Sequence, residues 1–176
     1  PLHIWRHAFD HQIGSDGQLL LLCLASVVES MALDELQVAW AAALSPRVSL
    51  PITRELRNRF DTALKHLDGS FVRTERGHDE IAVSFHTPSI RDYVARRIAT
   101  DSSLHLELLT RSAFFEQVAC LVHLDPDGHV QNGPGPLVGD CAVLRDAVRR
   151  TLSEKSPVLT RFVRVSGEPK LGRFSP

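Results

Sequence analysis

Cysteine is scarce. Cys23, Cys120 and Cys141 are the only three, an odd number with no Cys-x-x-Cys spacing, which argues against a disulfide framework or a zinc site and points to buried thiols in a reducing compartment. Long apolar runs are missing too: the longest, Leu19 to Ala25, is far too short to cross a bilayer. No signal peptide opens the chain. The expectation is a soluble, cytoplasmic protein with no membrane partner. Neither sign of charge is in excess, since 20 basic and 21 acidic residues leave a formal net charge of −1. A dedicated nucleic-acid binder usually carries a strong basic surplus, so the balance disfavours that role.

Catalytic signatures are equally sparse. There is no Gly-x-Ser-x-Gly elbow and no assignable Cys–His pair, so nucleophilic catalysis has no support. The segment from Gly133 to Gly139 precedes a helix and superficially resembles a phosphate loop. However, Pro134 and Pro136 delete backbone donors, Asp140 follows where a Walker lysine would stand, and no other segment supplies that lysine. A stiff loop with Asp140 as helix N-cap is the preferred reading.

What is present is the balance of a folded protein, with 43% hydrophobic and 23% charged residues in a chain of 176. That length accommodates one ordinary domain, or a small domain with a helical extension. The chain begins at Pro1 without an initiator Met, as expected for a piece of a longer polypeptide or for removal of Met before Pro.

Periodicity predicts helices first. Ile4, Ala8 and His11, flanked by Trp5 and Phe9, form one stripe at helical spacing. Gly14-Ser15-Asp16-Gly17 breaks the chain and offers an N-cap to a second helix, about Gln18 to Val28, apolar almost all round and hence central. A third opens at Leu33-Asp34 and should stop at Ser45-Pro46. The fourth follows Pro51, with Leu56, Phe60, Ala63, Leu64 and Leu67 on one side and Asp68-Gly69 as its end.

Two strand-like segments come next, Phe71 to Thr74 and Ile81 to Phe85, the second alternating strictly. Thr87-Pro88 then marks a helix start, with a hydroxyl N-cap before a proline at the first helical position. Helix, helix, helix, strand, strand is the winged-helix order.

The predicted fold class is therefore mainly α: a winged-helix-like domain with one β-hairpin over residues 1–100. A helical extension follows over 101–165, with short helices near Ser102 to Leu109, Ala113 to His123 and Cys141 to Leu152. An exposed loop from Asp125 to Gly139 interrupts it. Pro157 to Val165 reads as a short helix or strand, and residues 166–176 as a disordered tail.

Nine histidines invite a metal. His7 and His11 stand at i, i+4, a ligating spacing, but no third ligand is implied. The His123, Asp125, Asp127, His129 set has cation-binding types, yet Pro-Asp-Gly is first a turn signal. No metal is expected. Arg54, Arg57, Arg59 and Lys65 lie on the fourth helix, where a winged helix carries its recognition helix. Glu55 and Asp61 interrupt that patch, so DNA binding is the lesser alternative and a solvated helix face the ordinary one.

Two stretches carry a resemblance: Asp68-Gly69-Ser70-Phe71-Val72, and Val83-Ser84-Phe85-His86-Thr87-Pro88-Ser89-Ile90-Arg91-Asp92-Tyr93-Val94. They resemble the region after the ATPase core in the novel STAND NTPases, bacterial signal-transducing P-loop proteins in which a similar Phe-x-Asn-Pro-Ser-Ile-x-Asp-Phe pattern leads into a helix. Ile4-Trp5 with Ala8-Phe9, Leu19 to Leu24, Leu33 to Leu36, and Ser112-Ala113-Phe114-Phe115-Glu116-Gln117-Val118 extend the likeness over roughly residues 1 to 124.

The resemblance implies a regulatory fragment with no catalysis or cofactor of its own. Its partner is an upstream ATPase module of the same polypeptide, which would bind ATP and ADP, and homo-oligomerisation on activation is a further option. Related families place a His at the start of the helix leaving the hairpin, in reach of the nucleotide β-phosphate. The matching position here is Thr87, with His86 one residue earlier. His86, Thr87 and Ser89 are thus the candidate nucleotide-sensing residues, and simple capping by Thr87 is the alternative. A protein–protein adaptor built on residues 100 to 165 is a third possibility.

Overall fold

A computed structural model describes residues 2–44, 52–77, 80–124 and 141–153. They form α1 (Leu2–His11), α2 (Ser15–Ala25), β1 (Ser30–Ala32), α3 (Leu33–Leu44), α4 (Arg54–Leu67), β2 (Val72–Arg76), β3 (Ile81–Phe85), α5 (Pro88–Thr100), α6 (Ser102–Arg111), α7 (Phe115–Val122) and α8 (Cys141–Thr151). The fold is mainly helical with one small antiparallel sheet, as the sequence predicts. Expectations for Ser45-Pro46, the Asp125 to Gly139 loop, Pro157 to Val165 and the tail after Ser166 lie outside the described residues.

Helix α2 is the central rod. Leu20, Leu21, Leu22, Cys23, Leu24 and Ala25 are all buried, and the helix packs against α3, α4 and α5. Each such leucine contributes about 1.5–3 kcal/mol of transfer free energy. Both predicted ends need correction. The helix starts at Ser15 rather than Gln18, with Gly14 as an N-cap that makes no side-chain bond.

Gly17 is a packing residue, not a breaker. A Cβ there would meet Ile13 Cγ2 at 2.8 Å and the Leu67 methyls at 3.6 and 3.7 Å. At the other end, the Ser26 hydroxyl donates to the Cys23 carbonyl at 2.6 Å, and the helix stops at Ala25 instead of Val28.

That early stop frees residues for a third strand, which the sequence reading lacked. β1 pairs antiparallel with β3 (Ser30 opposite Ser84, Met31 opposite Val83, Ala32 opposite Ala82), and β2 flanks β3 on its other side. Three residues are too few to show alternation, so this strand exists through its pairing and the burial of Met31 and Ala32. β2 also begins one residue later and ends two later than predicted, running through Arg76, which stands opposite Ile81. From α2 to β3 the order helix, strand, helix, helix, strand, strand is the winged-helix arrangement, with α4 in the recognition-helix position.

Local signals set the remaining ends. Thr53 caps α4, its hydroxyl accepting from Leu56 N–H at 3.3 Å, and Gly69 leaves the helix at φ 76°, a conformation that favours glycine. Asp101 ends α5 and caps α6, its carboxylate accepting from Leu104 N–H at 3.0 Å. Residue 100, where the sequence divides the chain into domain and extension, is the last residue of α5. One buried cluster nevertheless runs from Phe9 and α2 through Ile98 to Leu109, Phe114, Val118 and Ala147. Among the described residues no helix is long and apolar enough to cross a membrane.

Candidate functional site

The outer stripe of α4 carries Arg54, Asn58, Asp61 and Lys65 at i, i+4, i+7 and i+11, with Arg57 on its flank; all five are exposed. Asp61 therefore sits among the three cations. Arg59 does not join them, because it lies roughly 140° round the helix from Arg54 at 100° per residue, on the side facing α2. There its guanidinium grips Asp16, with Nε to Oδ2 at 3.0 Å and Nη2 to Oδ1 at 2.6 Å. It also stands 5.8 Å from the centre of the Trp40 ring, and Trp40 Nε1–H donates to the Asp16 carbonyl at 3.0 Å. The hydrogen bonds that Arg59 donates to the Asp16 carboxylate raise the arginine pKa, reinforced by the charge of that carboxylate.

This α2–α4 pair spans 43 positions and leaves no local trace in the sequence, where Asp16 reads as part of a helix-start cluster. The pair borders a groove of about 690 Å³ between α4 and the start of α2, floored by Ile13, Ala63, Leu67 and Phe71.

His86, Thr87 and Ser89 are brought together at the start of α5. His86 is tied to the sheet by its N–H, which donates to Phe71 O at 2.9 Å, while its side chain is exposed. Thr87 is half-buried with extended backbone, φ −136° and ψ 149°, and Pro88 follows as the first helical residue. The expected hydroxyl cap is absent: the Thr87 side chain makes no capping bond. Its Oγ1 lies 3.1 Å from Ser89 Oγ instead. The positive end of a 13-residue helix thus presents two hydroxyls to its surroundings.

The metal candidates lie at two places in the chain. His7 and His11 are exposed with ring centres 5.0 Å apart, and no group of three His, Cys, Asp or Glu suited to a metal occurs among the described residues. His123 is half-buried, while Asp125, Asp127 and His129 lie outside the described residues. Cys23 and Cys120 are buried free thiols. Burial pushes the Cys23 pKa up to about 12, and that of Cys120 to about 11 against the opposing charge of Arg91.

No family model matches the chain, and no curated protein or solved structure matches it.

One residue stands out that the sequence did not single out. His105 on α6 is 1% exposed, and neither ring nitrogen has a hydrogen-bond partner. Its only forewarning is position, since His105, Leu108 and Leu109 stand at i, i+3 and i+4 on one buried stripe.

Proposed function

We propose that this chain is a regulatory and transducing module, a winged helix with attached helices. In this reading it docks on an ATP- and ADP-binding P-loop unit of a cytoplasmic STAND-type signalling protein and is not catalytic itself. The observation that carries the reading is the start of α5. Thr87 and Ser89 turn their hydroxyls to each other and leave the helix end uncapped by side chains, at the position where the resemblance puts the nucleotide sensor. Exposed N–H groups and hydroxyls at a helix start suit an anionic group, such as a diphosphate on a docked surface. Switching is then a two-state docking and release biased by the nucleotide.

The DNA-reading alternative is weaker on this surface. It needs the α4 cations aimed outward together, and Arg59 is turned to Asp16 while Asp61 interrupts the others. The purified chain is expected to show no ATP turnover above background and no salt-sensitive duplex binding. Turnover by the chain alone would sink the regulatory reading. Duplex binding that weakens steeply with salt and is lost on charge reversal of Arg54 and Arg57 would favour the alternative. A Gly-x-x-x-x-Gly-Lys-Ser/Thr motif ahead of Pro1 in the parent polypeptide is the corresponding sequence test.

A further inference from the structure

A buried polar atom without a partner is uncommon in a native fold and asks for a reason. His105 has two, on a single side chain. The residue belongs to the face of α6 that also carries buried Leu108 and Leu109, in a helix packed against α3, α5, α7 and α8. Two features make that packing separable. Asp101 is the single non-helical residue between α5 and α6, with φ −110° and ψ 97°. In addition, among the described residues two long-range polar ties of α6 and α7 to the winged helix are single bonds: Arg111 Nη1 donates to Ala43 O at 2.6 Å, and Gln117 Nε2 to Ser26 Oγ at 2.8 Å.

We propose that α6–α8 form a proton-sensitive lever, hinged at Asp101 and held shut only while His105 is neutral. Closed, the imidazole is 1% exposed and has no protein acceptor for a second proton. Lifted from α3 and α5, it is hydrated and binds one freely.

The surrounding charges do not rescue a closed imidazolium. On α6 itself, Asp101 accepts from Leu104 N–H and Glu107 pairs with Arg111 at 3.0 Å. Packed elements contribute Asp34 and Glu35 from α3, Arg91, Asp92, Arg96 and Arg97 from α5, Glu116 from α7, and Arg145, Asp146, Arg149 and Arg150 from α8. Arg150 reaches the end of α6, donating to Leu109 O at 3.2 Å and Ser112 O at 3.4 Å. None of these groups bonds either imidazole nitrogen, and burial alone lowers the His105 pKa.

The sign follows from that direction. The open state takes up its proton near the ordinary pKa of about 6.5, the closed state only at lower pH. Closure is therefore fully favoured above about pH 6.5. Below it, the open-to-closed ratio rises with a slope that approaches tenfold per pH unit until the closed form titrates as well. The inference does not depend on which partner the module docks.

Hydrogen exchange with peptide-level mass spectrometry, corrected for intrinsic rates, tests it at pH 7.5, 6.5 and 5.5. In the wild-type chain, opening of α6–α8 is expected to rise by up to about fivefold between pH 6.5 and 5.5 while α2 stays protected. His105→Leu should flatten that rise. His105→Gln keeps a polar side chain without a proton to gain, so it should flatten it as well and serves if the Leu variant fails to fold. A wild-type α6-to-α2 protection ratio that is the same at all three pH values overturns the proposal, as does a rise that both variants retain.

Discussion

The winged helix and the α6–α8 lobe are closed by different means. Around α2 the core is apolar, with Leu20, Leu21, Leu24, Met31, Trp40, Phe60 and Val83 each exposed by 1% or less. The buried polar residues among those described are Ser26, His105, Ser112, Gln117 and Thr151. Four of these belong to the lobe or its caps, and Ser26 is the partner of one of them. They also form a gradient. Ser112 and Thr151 satisfy themselves within their helices by bonding the carbonyl four residues back. Gln117 and Ser26 bond across the boundary, and the His105 ring nitrogens bond nothing. Apolar packing is non-directional and gives stability, whereas buried hydrogen bonds fix one seating and cost most when half-made. The first half is built to persist, the second to be placed and displaced.

The sharpest way to break that contrast is to damage the apolar half. Trp40 is fully buried, edge-on to Phe60 at 5.6 Å, and bonds the Asp16 carbonyl. Trp40→Ala should cost about 3–5 kcal/mol and unfold both halves in one denaturant transition, because buried Leu109, Phe114, Val118 and Ala147 of the lobe belong to the shared core. A lobe that keeps its helical signal after α2–α4 has melted would show the two halves to be independent.

Gln117 tests the other half. Its Oε1 accepts from Ala113 N–H at 3.0 Å and Phe114 N–H at 3.2 Å, the returning half of a capping box, while its Nε2 reaches Ser26. Gln117→Leu strands one buried and one part-buried donor at about 2 kcal/mol, and the loss should be confined to the lobe. Thiol labelling reads this locally. In a Cys141→Ser background, Cys120 on α7 should label roughly thirtyfold faster than before, from the same energy, while Cys23 on α2 changes far less. Equal acceleration of both thiols would erase the distinction between the halves.

The same division explains what the sequence could reveal. Periodicity located the helices because their apolar faces repeat within one segment: Leu56, Phe60, Ala63 and Leu67 announce α4 without help from elsewhere. β3 was readable through the alternation of Ile81, Val83 and Phe85. β1 was not, since its three residues become a strand only by pairing with Ser84, Val83 and Ala82.

The candidate sites divide in the same way. The grouping of His86, Thr87 and Ser89 at one helix start follows from adjacency and from Pro88. Helical spacing alone turns Arg59 away from Arg54 and Lys65, but its seat against α2 depends on Asp16, 43 residues away. Gly17 misleads for a related reason: a glycine pressed against Ile13 and a glycine that ends a helix look alike until the neighbour is known. His105 signals nothing by type, because its isolation is a property of the four helices around it.

Arg59 offers a smaller test on the apolar side. Its ion pair with Asp16 is partly exposed, the arginine side chain by 45%, so solvent screens most of the attraction. Together with the contact over Trp40, Arg59→Ala should cost about 1 kcal/mol or less, and the deficit should shrink in high salt. Removing a genuine DNA contact would leave stability unchanged and weaken duplex binding, so a melting curve with a salt series separates the two roles.

The finest comparison sets two threonines at two helix starts against each other. Thr53 Oγ1 accepts from Leu56 N–H at 3.3 Å and so replaces a lost helical bond, whereas Thr87 Oγ1 faces Ser89 Oγ and satisfies no backbone donor. If capping were the purpose of both, their alanine variants would lose similar stability. The geometry predicts otherwise: Thr53→Ala should cost about 1 kcal/mol, as loss of an N-cap does, and Thr87→Ala only a few tenths, within the range of surface changes. The difference is measurable as separate denaturation midpoints at constant slope. A Thr87→Ala loss equal to that of Thr53→Ala would return Thr87 to an ordinary cap and take away the observation on which the nucleotide-sensing reading stands. A small loss would fit a hydroxyl that pairs with Ser89 Oγ and caps no backbone donor, an arrangement in which a threonine at a helix start can matter to a docked anion more than to its own fold.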